Sequence, residues 1–336
     1  MSTVPAQAPS VSPAAAWRGV GAGAIRRRDF AVLVPALDEA PNVGPLFAAL
    51  RRTFDAHGLD GAVVFVDDGS SDDTYVLARR AAAAFGPRAT VLRHRVTRGK
   101  TQALLTAAAA TDAELVVLFD ADLQYAPDDV PRLLARLDEG WDVVAARKVG
   151  HYDKRAVSAA YNLLSRRLFG VPARDLNGLN AMRREVLGAV TLRRDWHRFL
   201  VVLAHARGYS VGELDVRLSP RRAGASKYAG RGRILVGVGD LLVVWFYLRF
   251  GAKPMQLFGG VGLALGGVGV AVGLVAVIMR TLGVAPPPFG YRPVLELVVL
   301  LVVVGVALVG FGFVAEMIAI LRGEVEALRR GRDGGR

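Results

Sequence analysis

GAVVFVDDGSSDD (61–73) sets the architecture: a continuous apolar run from Ala62 to Val66 that ends in two aspartates and then in turn residues. An unbroken Val/Phe run, rather than an alternating one, is what a strand buried on both faces requires. Asp67, Asp68, Gly69 and Ser70 then bring the chain into a tight turn. Working outward, AVLVPAL (31–37), ATVLRH (89–94) and AELVVLFDADLQ (113–124) repeat the pattern, and Glu39–His57, Tyr75–Phe85 and Lys100–Ala110 between them read as helices. Strands alternating with helices at this spacing predict an α/β domain, with a mostly parallel sheet covered by helices on both faces. Ligands of such sheets sit beyond the carboxyl ends of the strands, where Asp67–Asp68 and Asp120–Asp122 fall.

Composition narrows the class. Of 336 residues, 52% are hydrophobic and 22% charged, which excludes a disordered or fibrous chain and fits a soluble domain with membrane segments attached. The absence of cysteine excludes a disulfide scaffold, a thiolate zinc site and a cysteine nucleophile. Forty-three Lys and Arg against 30 Asp and Glu give a net charge of +13, which suits a phosphate-rich partner: nucleic acid, an anionic membrane or phosphorylated small molecules. Residues 1–29 are rich in Ala, Pro, Ser and Gly, lack the apolar core of a signal peptide, and read as a disordered arm at a cytoplasmic start.

Two later segments are long enough to cross a bilayer. Pro254 to Met279 holds no charged residue over 26 positions, and Leu297 to Ala315 holds none over 19. The expected spans are 254–280 and 294–320, joined by an external loop (281–293) and followed by a basic tail (321–336). Arg231, Arg233, Arg249, Lys253 and the tail arginines flank the spans on one side, so the large domain and both termini are expected in the cytoplasm, at the cell (inner) membrane. The bland alternative is a pair of buried helices in a soluble core. Residues 231–253 mix an aromatic body with terminal arginines and read as amphipathic interfacial helices, with an ordinary core helix as the alternative. Gly262/Gly266 and Gly269/Gly273, at four-residue spacing, permit close helix packing within the chain or between protomers.

The chemistry centres on FDADLQ (119–124). The segment puts Asp120 and Asp122 two apart on a strand's end, where alternation is expected to send their side chains to the same side, so that both can address one divalent ion or its phosphates. A lone Asp-x-Asp is a weak signal. Two acidic motifs at the same end of one sheet, about fifty residues apart, are a stronger one.

VLVPALDEAPNV, VDDGSSDDT, RGK (98–100), FDADLQ, AARK (145–148) and RRAGASKY (221–228), in this order, resemble the inverting family 2 glycosyltransferases of the GT-A fold. With two C-terminal spans, the chain resembles the membrane-anchored polyprenyl-phosphate glycosyltransferases, dolichyl-phosphate mannose synthases among them. The resemblance covers 30–230 as a GT-A domain and implies metal-dependent hexosyl transfer. Mannose or glucose would pass from a GDP- or UDP-linked sugar to a polyprenyl monophosphate, with inversion. It implies Pro35, Leu37, Glu39, Val66 and Asp68 at the nucleotide, with Ala121 beside them. It implies Asp120, Asp122 and Gln124 on Mg²⁺ or Mn²⁺, with Asp122, Arg147 and Lys227 as catalytic residues. Arg155 and Ser158 would meet the lipid phosphate, and Arg222, Ser226 and Lys227 would clamp phosphates. Asp175 and Asn180 in DLNGLN are candidates for the sugar hydroxyls.

Departures bear on these expectations. Asp38 stands where the family usually has Asn, Thr101 stands where many relatives have Gly, and RRDWHRF (193–199) lacks the Q-x-x-R-W element of processive synthases, which favours a single transfer. The five histidines form no spaced metal motif. A diacylglycerol acceptor, or an N-acetylhexosamine donor, remains the alternative within the same fold. A nucleic-acid-binding role would need neither the spans nor the strand-end carboxylates. A homo-oligomer through the glycine-lined spans is left open.

Overall fold

The computed structural model describes residues 30–149, 163–175, 178–219, 232–284 and 290–333. The chain divides into two compact units at Leu235/Val236.

The first unit is built on seven strands: β1 (Phe30–Ala36), β2 (Ala62–Asp67), β3 (Ala89–Arg93), β4 (Leu115–Leu118), β5 (Val143–Val149), β6 (Asn180–Arg183) and β7 (Val211–Arg217). They lie in the order β3-β2-β1-β4-β6-β5-β7, and only β6 runs against its neighbours. The mostly parallel sheet expected from the sequence is therefore present, with three strands beyond the four quoted above. Between the strands run α1 (Ala40–His57), α2 (Thr74–Phe85), α3 (Lys100–Ala109) and α4 (Asp129–Asp138). α5 (Arg184–Ala189), a 3₁₀ turn (Trp196–Phe199) and α6 (Leu200–Ala206) precede β7.

Every residue of β1 is buried, as a central parallel strand demands. α1 opens with proline in its first turn and stops at Gly58, which takes the left-handed conformation (φ 59°). Phe54 packs edge-on against Phe30 and Phe85, and Phe47 against Phe85 and Phe65, so α1 and α2 share one aromatic core over the sheet. β4 ends at Leu118, earlier than the apolar run suggests. Asp120 and Asp122 thus lie in a turn rather than on a strand, and alternation does not orient them.

The second unit holds α7 (Gly232–Phe250, shared with the boundary), α8 (Met255–Thr281) and α9 (Arg292–Asp333). α8, at 27 residues, spans about 40 Å. Both helices are mostly exposed, unlike buried core helices, and both are long and apolar enough to be candidate membrane helices. α9 runs to Asp333, well past the expected end of the span at 320, so most of the predicted tail is helical. The glycine repeat works within the chain: a Cβ at Gly262 would stand 2.6 Å from the Gly305 carbonyl oxygen, and one at Gly269 would stand 3.0 Å from Leu301 Cβ. At the far end of the hairpin, Glu316 Oε2 accepts the Met255 amide at 3.1 Å, satisfying an orphan donor at the start of α8. Arg322 donates to the Tyr247 hydroxyl at 2.5 Å and lies over its ring.

Candidate active site

The turns after β1 and β2 are stitched together by side chains. Asp38 sits in the left-handed region (φ 48°), which Asp tolerates better than most residues. Its amide donates to Ser70 Oγ at 2.8 Å, and its Oδ1 accepts the Ser71 amide at 2.8 Å. The Asn-to-Asp departure therefore falls at a position that ties two loops together. The Glu39 amide donates to Thr74 Oγ1 at 2.8 Å, while Glu39 Oε2 accepts Asn42 Nδ2 at 2.7 Å.

Asp68 is buried, and its carboxylate organises the next loop. Oδ1 accepts the Arg98 amide at 2.9 Å and lies 2.6 Å from His94 Nδ1, while Oδ2 accepts the Gly99 amide at 2.8 Å. Gly69 (φ 78°) makes that approach possible: a Cβ would stand 2.9 Å from the Thr97 amide nitrogen. This loop launches α3, and its first residue, Lys100, places Nζ 2.5 Å from Asp120 Oδ1. Thr101 lies in the first turn of α3, within the helix read from the sequence. Its hydroxyl lies 3.0 Å from His197 Nδ1, pinning the 3₁₀ turn against α3.

Electrostatics follow from this packing. Desolvation opposes ionisation of Asp120, but the Lys100 ammonium outweighs it through charge and hydrogen bond, helped by Lys148, so the carboxyl falls below its ordinary value. His197 is lowered to about 3, first by desolvation and then by Lys100, and so stays neutral. Asp122 is nearly buried, and its Oδ1 accepts the Gln124 amide at 3.2 Å.

These groups meet in one cleft of about 430 Å³, lined by Pro35, Leu37, Glu39, Asp68, Asp120, Ala121 and Asp122 among others. Val66 is fully buried in β2 beside Pro35 and forms floor rather than lining. Ala36, Thr97, Gly99, Lys100, Arg194 and Asp195 complete the lining, and the sequence reading gives none of them a site role. RGK carried the signal for Lys100, and RRDWHRF was read only for what it lacked. A larger recess of about 520 Å³ lies at the amino end of β4, lined by Leu105, Arg183 and Arg184 among others. It is far from the strand ends that bear the carboxylates.

Arg147 is not brought to the cleft. It faces Asp215 across the β5–β7 pairing and holds it in a bidentate ion pair at 2.5 and 2.6 Å. Its neighbour Lys148 turns the other way, to Asp175 at 3.6 Å. Asn180 opens β6, and its Nδ2 donates to the Gly178 carbonyl at 2.9 Å. Arg155, Ser158, Arg222, Ser226 and Lys227 lie outside the described residues.

A divalent ion fits the donor set. The carboxylate oxygens of Asp120 and Asp122 with the amide of Gln124 are hard ligands suited to Mg²⁺ or Mn²⁺, which bind through one or two carboxylates and substrate phosphates. Among the described residues no group of three His, Cys, Asp or Glu is placed to hold a metal ion.

Residues 31–197 match the family model for glycosyl transferase family 2. The chain is 29% identical over 309 residues to a dodecaprenyl-phosphate galacturonate synthase of Rhizobium johnstonii, covering 88% of this chain and 89% of the relative. It is 28% identical over 305 residues to an undecaprenyl-phosphate 4-deoxy-4-formamido-L-arabinose transferase of Edwardsiella ictaluri, covering 89% and 91%. Among solved structures, glucosyl-3-phosphoglycerate synthase of Mycobacterium tuberculosis superposes with a TM-score of 0.51 at 22% identity, over 66% of this chain and 80% of that one. A complex of the same enzyme contains Mn²⁺, UDP-glucose and phosphoglyceric acid, with a TM-score of 0.51 at 22% identity over 65% of this chain and 79% of that one. The likeness shows the GT-A arrangement of the sheet domain.

Proposed function

With its domain at 31–197 belonging to glycosyl transferase family 2, this chain is a glycosyltransferase, and we propose that it transfers a sugar from a nucleotide-diphosphate donor to a polyprenyl monophosphate at the membrane. The observation that carries the reading is the meeting of Asp120, Asp122 and Lys100 in one cleft, at the carboxyl ends of parallel strands, in a chain with two span-length helices. The full-length likeness to two polyprenyl-phosphate transferases supports the acceptor.

Pro35, Leu37 and Glu39 flank the nucleotide, with Ala121 beside them. Val66 supports that wall from below, and Asp68 acts on it through the 97–99 loop. Asp120, Asp122 and Gln124 would hold Mg²⁺ or Mn²⁺, which supplies Lewis-acid neutralisation of the diphosphate. Lys100 stands ready to share that role through its ammonium. The acceptor phosphate oxygen is already ionised near neutral pH, so its attack on the anomeric carbon needs no strong base. The sugar–diphosphate bond breaks as the new bond forms, and the configuration inverts. Arg155 and Ser158 are assigned to the lipid phosphate, and Arg222, Ser226 and Lys227 to a phosphate clamp. Arg147 can join them only by giving up Asp215. The catalytic domain is placed on the cytoplasmic side of the inner membrane, because the basic residues gather at that end of the hairpin.

The test uses purified full-length chain in detergent with Mn²⁺ or Mg²⁺, undecaprenyl phosphate and a panel of labelled UDP- and GDP-sugars. Label passing into the organic phase, and lost on adding EDTA, is the expected result. A donor that is bound or hydrolysed without lipid-linked product would overturn the acceptor, and no binding of any donor would overturn the reading as a whole.

A further inference from the structure

Beside the DADLQ turn lies a buried polar cluster that the transfer mechanism leaves unused. Tyr125 follows the motif and is 5% exposed, and its hydroxyl, which faces the Leu179 amide, donates to no acceptor among the described residues. The Oδ1 atom of Asn180, a residue 4% exposed, meets no donor among them. Lys148 Nζ and Asp175 Oδ2 form an ion pair at 3.6 Å, with the two side chains 16% and 6% exposed. Gly178 lets the backbone close on this group, since a Cβ there would stand 3.0 Å from the Tyr125 hydroxyl and 2.9 Å from the Ala146 carbonyl oxygen.

The cluster is electrically in touch with the reacting end of the cleft. Lys148 is among the cations that hold the Asp120 carboxyl low. Buried polar groups are almost always paired, and leaving a hydroxyl and an amide oxygen unmade costs stability that a hydrogen-bonding ligand restores. The chemistry of the set identifies that ligand. A phosphate calls for donors alone, and a base calls for a flat apolar wall. Here an ammonium and a hydroxyl that donate stand with a carboxylate and an amide oxygen that accept, which is the complement of a ring bearing several hydroxyls.

We propose that Tyr125, Lys148, Asp175 and Asn180 form the subsite for the sugar ring of the donor, and that Lys148 sets which sugar is accepted. The proposal rests on the nucleotide-sugar reading above and adds the part of the site that reads the sugar. It also gives the AARK segment a functional lysine in place of its arginine.

The experiment measures affinities of the full-length chain in detergent with Mn²⁺, for UDP and GDP alone and for UDP-glucose, UDP-galacturonate and GDP-mannose. Tyr125→Phe and Lys148→Met should leave the bare nucleotide within twofold of wild type. Both should weaken the preferred nucleotide sugar at least tenfold, and Lys148→Met should shift the ranking of sugars. Tyr125→Phe removes a hydroxyl that donates to no acceptor among the described residues, so without ligand it should melt near the wild-type temperature, which separates a binding role from a structural one. Equal weakening of nucleotide and nucleotide sugar, or no weakening of either, overturns the subsite. A wild-type chain that binds no nucleotide sugar overturns both the subsite and the function. Sugar binding with no transfer to polyprenyl phosphate overturns the acceptor alone and leaves the subsite standing.

Discussion

Lys100 and Asp120, joined at 2.5 Å across the mouth of the cleft, form an ion pair in which an ammonium occupies the carboxylate oxygen that a divalent ion would need. A metal arriving alone must compete with the Lys100 ammonium for Asp120. A metal arriving with a diphosphate brings its own oxygens and offers the displaced ammonium a new anion.

Lys100→Met should therefore bind Mn²⁺ in the absence of nucleotide more tightly than wild type. A charge-assisted hydrogen bond of about 1.5–3 kcal/mol corresponds to roughly ten- to a hundredfold. Transfer should fall by a similar factor. Titrating free Mn²⁺ by electron paramagnetic resonance, with and without UDP, checks the first part, and unchanged Mn²⁺ affinity would refute the competition.

Asp122→Ala should lower transfer by about a thousandfold, because several kcal/mol of charge stabilisation go with the ligand. The chain should stay folded and membrane-bound, because the side chain is nearly buried but sits in a turn outside the hydrophobic core. Label transfer beside a thermal melt decides it. Turnover near the wild-type rate would remove Asp122 from the metal site.

The parts legible in the sequence were those encoded within a few consecutive residues. The buried strands showed as unbroken apolar runs, and DADLQ and VDDGSSDDT carry their chemistry in place. What escaped depends on long-range pairing. Which of Arg147 and Lys148 faces the site is decided by the register of β5 against β7, where Asp215 captures Arg147 from 68 residues away. β6 is four residues long, too short to stand out from its polar flanks. That Thr101, in the first turn of α3, meets His197 from 96 positions on is likewise invisible in either segment alone.

Gly69 is the hinge on which Asp68 reaches the 97–99 loop. Gly69→Ala places a methyl at a positive φ and 2.9 Å from backbone atoms of Val96 and Thr97. The strain should cost about 1–3 kcal/mol and shift Lys100, raising the KM for donor more than it lowers kcat. Denaturant melts and donor kinetics on one preparation test both effects, and wild-type values in both would contradict the role given to the loop.

His197 predicts an acid-sensitive fold. Its pKa falls from 6.5 in the unfolded chain to about 3 in the folded one, so below pH 6.5 the unfolded state takes up a proton that the folded state refuses. Its contribution is complete above that value and is lost progressively as pH falls from 6.5 towards 3. Lys100, Arg198 and Asp120 are the charged groups acting on it. At pH 5 the loss is about 2 kcal/mol. His197→Gln should melt with a shallower pH dependence than wild type between pH 6.5 and 4.5, and parallel profiles would disprove the assignment.

The membrane hairpin offers a control within its own glycines. A Cβ at Gly305 would stand 2.6 Å from the Gly262 carbonyl oxygen and 2.8 Å from the Gly266 amide nitrogen, and backbone cannot move aside as a side chain can. At Gly310, five residues along the same helix, nothing lies within 4 Å. Gly305→Val should force α8 and α9 apart, costing about 1–3 kcal/mol and straining the Glu316 bond to Met255. Gly310→Val adds the same side chain and should leave stability unchanged. Melting both variants in detergent, beside wild type, distinguishes a packed hairpin from two independently lipid-solvated helices, for which the two substitutions would behave alike.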